Sequence, residues 1–441
     1  MVMTLPSPTS TARTRQIVQQ IASQCEVAPD QIEDAYPCTP FQADLFRAST
    51  QGASIEHYNL VFSLDEPTSS AIDRLTNAFS NVHDRNPILR SRIVQYTEPG
   101  ATTPHVVQAI VRGDLRWHEF DDLAHYCRLR IGHCLRYGEK LVECGISRDR
   151  KHLVWTLHHA LYDGWSMGML WKDICNLAEG KKPVFEQRPK YVKFIAHLQD
   201  PATEADRAYW TRHLAGYSGP RFELHRLPPE TIARRGGSLK LVQAREGKIG
   251  MTARIQAAWF CTLVELYRSL DVMTLNAATG RHCPVEGVAD MIGPCLCLAP
   301  FRQRVDLKTP LYQFVLDVEN ASGEMFAHEL SGMQFLENLI EEAKRPNHTF
   351  NLKSGLGEDF AGLQGASFQP AQVLKKKWDW DMGISVGVET LRWDMIFDPD
   401  RLDQDAVALI CQRFPLLLQT CQTVESQSSV TLESVVDVTR L

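Results

Sequence analysis

The stretch HLVWTLHHALYDGWSMGML, residues 152–170, decides how this chain is read. Leu153 to Leu157 form an apolar, partly β-branched run that reads as a strand. The run ends on His158 and His159. After a short turn carrying Asp163 and Gly164, apolar residues recur at Met167, Leu170, Trp171, Ile174 and Leu177. That three-to-four spacing predicts a helix, with Ser166 placed as its N-cap and Gly180 as its stop.

A strand end followed by a helix start is a place where chemistry can be displayed. The sheet fixes the backbone while the turn lets a side chain face a cleft. A neutral imidazole titrates near working pH, so it can take a proton from an incoming nucleophile and hand it on. Successive strand residues point to opposite faces, so only one of the two histidines can face a given cleft. Asp163 could accept a hydrogen bond from an imidazole or pair with an arginine. Gly164 permits a positive φ or a close backbone approach. A metal reading needs a third ligand, and nothing marks the supporting shell such a site requires, so no metal is expected.

Strands and helices alternate on both sides of this motif. YPCTPFQADLF (36–46) opens a helix at Thr39-Pro40, and HYNLVFSL (57–64) reads as a strand. An amphipathic helix follows and stops at Pro87. Further along, TARIQAAWFCTLVELYRSL (252–270) is a long helix, and MIGPCLCLAPFRQRVD (291–306) reads as a strand broken by Pro294 and Pro300. GISVGVET and LRWDMIFD suggest a hairpin. Interleaved elements in both halves of 441 residues imply an α/β protein of two lobes.

Charge narrows the function. With 47 basic and 53 acidic residues the net charge is −6, which leaves no footprint for nucleic acid or an anionic membrane. Twelve scattered cysteines without a CxxC predict free, mostly buried thiols in a reducing compartment. No signal peptide or membrane span is evident, so a cytoplasmic protein is expected. GxGxxG and the P-loop are absent. An enzyme built this way needs a substrate that arrives already activated, such as a thioester.

HHALYDG (158–164) resembles the HHxxxDG motif of condensation domains in nonribosomal peptide synthetases. YPCTPFQADLF is similar to that family's opening motif in its fungal form. VHDRNPILRSRI (82–93), YVKFIAHL (191–198), YWTRHLAG (209–216), MIGPCLCLAPFR (291–302) and HELSGMQFLENL (328–339) resemble its later motifs in family order. The resemblance implies two chloramphenicol-acetyltransferase-like lobes in a V-shaped pseudo-dimer with a central tunnel. Their expected extents are a flexible lead-in and start of the first helix over 1–28, an N-terminal lobe over 29–218, and a C-terminal lobe over 219–441 with a bridging floor loop near 281–302.

The family reading assigns roles. His159 becomes the catalytic histidine and His158 a supporting one. Asp163 becomes a structural anchor for an arginine, with Arg281 the preferred partner and Arg90 the second candidate. Gly164 keeps space beside the histidine and offers its N–H to an oxyanion, and Ser166 trails the motif. His159 either deprotonates the attacking amine or orients it and stabilises the tetrahedral state. No cofactor is expected on the domain itself. The substrate rides on the phosphopantetheine of a partner carrier (thiolation) domain, and the domain is expected to be monomeric.

This chain departs from the pattern at Cys297-Leu298, where the family has Asn-Thr. That change, Ser166 and the fungal opening motif favour a terminal domain that releases its peptide by intramolecular amine attack, giving a macrocycle. The end of the chain in SQSSVTLESVVDVTRL (426–441) suits such a domain. His158 stands where terminal fungal domains usually place Ser. The alternatives are an internal domain joining two carrier-bound aminoacyl groups, a free-standing coenzyme A-dependent acyltransferase, and a non-catalytic carrier-docking domain.

Overall fold

The structure is a computed structural model. It describes residues 12–439 apart from 52–56, 65–67, 99, 132, 184–187, 221–232, 243–248, 355–365, 370–378 and 438. Most of the lead-in expected before residue 13 and most of the loop expected around 216–230 lie outside the described residues.

The strands in chain order are β1 (Ile32–Pro37), β2 (His57–Leu64), β3 (Ser91–Tyr96), β4 (His105–Val111), β5 (Trp117–Phe120), β6 (Val142–Ser147), β7 (His152–His158), β8 (Ala233–Lys240), β9 (Asp271–Ala278), β10 (Cys297–Arg304), β11 (His348–Ser354), β12 (Ala366–Gln369), β13 (Trp380–Val386) and β14 (Thr390–Phe397). The helices are α1 (Ala12–Gln24), α2 (Pro40–Thr50), α3 (Ser69–Arg85), α4 (Leu123–Ile131), α5 (Gly164–Ala178), α6 (Val192–Leu198), α7 (Glu204–Leu214), α8 (Met251–Tyr267), α9 (Leu311–Phe326), α10 (Gly332–Leu339), α11 (Gln404–Thr423) and α12 (Leu432–Val435).

The chain divides into two compact units. One comprises Met1–Pro201, Arg281–Leu296 and Glu358–Lys377; the other Ala202–Gly280, Cys297–Gly357 and Trp378–Leu441. The division therefore falls at 201/202 rather than at 218/219. α7 goes with the second unit because buried Trp210 donates from Nε1 to His328 O at 3.0 Å. The 281–296 part of the expected floor loop goes with the first unit, tied there by Arg281.

In the first unit a five-stranded sheet runs β12-β2-β7-β6-β5, and a three-stranded sheet runs β1-β4-β3. β7 lies between β2 and β6, antiparallel to both. Its residues Leu153 to Leu157 are all buried, as an apolar strand covered on both faces must be. Alternation along β2 sorts the two faces. Phe62 stacks on Trp171 of α5 at 4.9 Å and meets Phe79 of α3. Its neighbour Val61 packs with Phe120 and Tyr126 on the other side. Burying such aromatics stabilises by roughly 2–3 kcal/mol each. Helix α2, which reaches the site, starts as its sequence predicts. Thr39 Oγ1 accepts from Gln42 N at 3.1 Å, Gln42 Oε1 accepts from Thr39 N at 3.0 Å, and Pro40 occupies the first helical position.

The second unit has a six-stranded sheet, β10-β9-β11-β13-β14-β8. α8 is buried from Ala253 to Glu265, and its Arg254 donates to the carbonyls of Cys421, Gln422 and Val424 at the end of α11. β13 and β14 form the expected hairpin. Pro300, expected to break a strand, lies inside β10 opposite Leu275. β10 is an edge strand, where a missing N–H can face outward without leaving a gap in the ladder. All twelve cysteines are free. Among the described residues no helix is long and apolar enough to cross a membrane.

Candidate active site

β7 ends at His158, and a single 3-10 turn over His159–Leu161 follows before α5. The pleat alone therefore does not separate the two histidines; the turn does. His158 is fully buried and caps that turn, with Nδ1 accepting from Ala160 N at 3.1 Å. A backbone N–H can only donate, so the ring proton sits on Nε2 and is given to Ser49 Oγ at 3.0 Å. Both ring nitrogens are used. Burial first, then the neighbouring His57 and His159, hold the His158 pKa well below its usual value. The residue is a neutral structural element.

His159 has the opposite tautomer. Its Nδ1 lies 2.7 Å from Tyr162 O, and a carbonyl only accepts, so Nδ1 carries the proton. In the neutral ring the Nε2 lone pair is then basic, and among the described residues it has no partner. The ring is stacked on Tyr162 at 4.8 Å with planes 19° apart, and it meets Phe41 and Tyr58 edge-on at 5.9 and 5.6 Å. The side chain is partly exposed, so the oriented nitrogen is reachable.

Asp163 does not touch either imidazole. It is 3% exposed, and its carboxylate accepts from Ser166 N and Oγ at 2.8 and 2.7 Å, from Arg281 Nη2 at 3.0 and 2.9 Å, and from Cys295 N at 2.9 Å. Arg281 also donates from Nη1 and Nη2 to the carbonyls of Val288, Met291 and Gly293 at 2.8–2.9 Å. A buried pair with this many hydrogen bonds is an anchor: it ties the start of α5 to the 281–296 segment. That segment is further held by Tyr191, whose hydroxyl donates to Pro294 O at 2.7 Å. Gly293 has φ +144°, and a Cβ there would lie 2.4 Å from the Tyr191 ring.

Arg90, the other arginine considered for Asp163, pairs instead with Glu33 at 2.7 Å and donates to Asp84 O. Ser166 is not the N-cap of α5. Asp163 is, because its carboxylate already faces the third N–H of the helix, and Ser166 Oγ answers by accepting from Asp163 N at 3.0 Å. Gly164 is the first helical residue, is exposed, and is not among the glycines with positive φ. Sequence reasoning missed Gln42, which is 1% exposed and donates from Nε2 to Ala160 O at 2.8 Å, clamping the histidine turn to α2. It also missed Ser49 and the Tyr162 carbonyl. The capping-box position of Gln42 three residues after Thr39 was readable; its second bond across 118 residues was not.

The condensation-domain family model matches residues 32–438. This chain belongs to the condensation-domain family. Domains of this family are peptide-bond-forming acyltransferases. The chain is 29% identical over 346 residues to the nonribosomal peptide synthetase cm3A of Cordyceps militaris, covering 77% of this chain and 7% of that protein. It is 26% identical over 444 residues to the nonribosomal peptide synthetase easA of Emericella nidulans, covering 96% of this chain and 6% of that protein. It thus spans a small fraction of the length of the curated relatives it matches. Among solved structures, the condensation domain of the Monacolin K polyketide synthase MokA superposes with TM-score 0.70 at 16% identity, covering 91% of this chain and all of that one. A structure described as that of CT superposes with TM-score 0.71, again at 16% identity, covering 94% and 96%. The two-lobed chloramphenicol-acetyltransferase-like fold expected from the motifs is the fold of these domains.

Proposed function

We propose that this condensation domain forms an amide bond by attack of an amine on a carrier-bound acyl or peptidyl thioester, with His159 as the catalytic residue. The observation that carries the reading is the locked His159 tautomer: a proton on Nδ1 held by Tyr162 O, and a partnerless, reachable lone pair on Nε2. The amine nitrogen attacks the thioester carbonyl carbon, forming C–N. Nε2 takes the proton the nitrogen loses, the C–S bond breaks, and the phosphopantetheine thiolate leaves. The same nitrogen can return the proton to sulfur. A positioned base of this kind contributes about 10²–10⁴-fold. His158 and Asp163 act by position only, since their polar atoms are already engaged. The substrate's phosphopantetheine belongs to a partner carrier domain; no cofactor is assigned to this domain.

The attacking amine is proposed to come from the same peptide, giving terminal release as a macrocycle. Support comes from Cys297-Leu298 in place of the family's Asn-Thr and from the fungal-type opening motif. Ser166 no longer bears on this, because its hydroxyl serves the Asp163 cap. His158 favours the internal mode, in which a second carrier brings the amine. The test is incubation with a peptidyl-loaded carrier protein and mass spectrometry of the product. A cyclic peptide supports terminal release. A linear amide formed only when a loaded acceptor carrier is added supports the internal mode. Acyl transfer from a free coenzyme A ester alone, or no transfer at all, would overturn both.

A further inference from the structure

Away from His159, the first unit has a cavity of about 290 Å³ whose lining includes Ser91, Arg92, Arg112, Arg116 and Lys140. Among its lining residues Ser91 is 2% exposed, and among the described residues its hydroxyl has no hydrogen-bond partner. Beside it, Arg90 spends one guanidinium nitrogen on Glu33 and another on Asp84 O, yet its buried Nε has none. A buried hydroxyl and a buried N–H left unpaired each cost about 1–3 kcal/mol, so two together mark a place built to meet something.

The charges agree. Arg92 uses Nη1 on the carbonyls of Cys25 and Gly138, and among the described residues it has no carboxylate in ion-pair range. The same holds for Arg116 and Lys140. Arg112 reaches only Glu33, at 3.6 Å, and is 70% exposed. Glu26 and Asp114 also line the cavity, and neither is in an ion pair among the described residues. Burial, then Arg92 and Arg116, push the Lys140 pKa down, with Glu143 opposing. With Glu26 and Asp114 set against Arg90, Arg92, Arg112, Arg116 and Lys140 in its lining, the cavity keeps an excess of positive charge that an anion would offset.

We propose that this cavity is an anion site that takes the phosphate group of a small organic phosphate. Arg92, Arg116 and Lys140 would surround the phosphate oxygens, and Ser91 Oγ and Arg90 Nε would donate to them. The volume equals about ten waters, more than a phosphate group fills, so an attached organic moiety has room. The phosphate could belong to a coenzyme A-type nucleotide or to a phosphopantetheine.

The experiment titrates the whole chain with sodium phosphate, coenzyme A or 4′-phosphopantetheine at ionic strength fixed with sodium chloride, read by calorimetry. Saturable binding is expected, with one organic phosphate tighter than inorganic phosphate; which one identifies the source. The exposed double variant Lys140→Gln/Arg116→Gln should lose about tenfold or more in affinity and Ser91→Ala several-fold. The Lys140 ammonium, followed by NMR, should titrate at higher pH when phosphate is bound. Three results would overturn the proposal: heats matched by chloride alone, unchanged affinity in the folded double variant, or loss of binding in His159→Ala, which would place the ligand at the other site.

Discussion

Arg281 donates to both carboxylate oxygens of Asp163, at 3.0 and 2.9 Å, with both side chains 4% exposed. Removing either partner strands a buried charge. Asp163→Ala or Arg281→Ala should therefore lower unfolding free energy by about 3–5 kcal/mol. The double variant Asp163→Ala/Arg281→Ala should cost less than the two single changes together. Urea denaturation of the four proteins checks this, and additive losses would remove the pair as the anchor.

Gln42 joins α2 to the histidine turn. Gln42→Leu leaves the Ala160 carbonyl and the Thr39 N–H without their buried partner, at about 1–3 kcal/mol. The expected outcome is a folded protein with slower amide formation, because the turn that orients His159 loses one tether. Turnover equal to the parent in a stably folded variant would show that the tether does not reach the chemistry.

Gly293 combines φ +144° with the Tyr191 ring at its back. Gly293→Ala should destabilise the chain through both strain and clash. Adding Tyr191→Ala should restore only part of the loss, since the backbone strain stays and the Tyr191 bond to Pro294 O goes. Thermal unfolding midpoints would order the variants, and full rescue would mean the clash alone mattered.

His57 faces His158 across the β2–β7 pair, with rings 5.0 Å apart. Burial first, then His133, lowers its pKa to about 4, with Glu139 opposing. His158 is depressed too. The unfolded chain binds the His57 proton near pH 6.5 and the folded chain only near pH 4, and His158 shifts in the same direction. Stability is thus fully present above about pH 6.5 and falls as pH drops toward 4, by ~1.4 kcal/mol for each unit of depression. His57→Phe should flatten that slope; an unchanged acid limb in denaturation curves would contradict the assignment.

Much of this was legible beforehand. The apolar run into HHALYDG placed β7, the turn and α5, because period and punctuation are local properties. The Asp163–Arg281 pair was inferred from a family resemblance, since no local pattern joins residues 118 apart. What stayed hidden is tertiary. Whether Ser166 or Asp163 caps α5 depends on which side chain meets the third N–H. Pro300 could sit in a strand only because β10 is an edge. β8 was missed altogether: its ARRGGSLK is polar and glycine-rich, and it is mostly exposed against β14.

Nε2 of His159 is the atom proposed to take the proton from the attacking amine. The direct measurement is the single-turnover rate of amide formation by His159→Ala from a peptidyl-loaded carrier, with folding verified by circular dichroism. A loss of about 10²-fold or more is predicted. A folded His159→Ala that forms product at the parent rate would contradict the assignment of His159 as the catalytic residue.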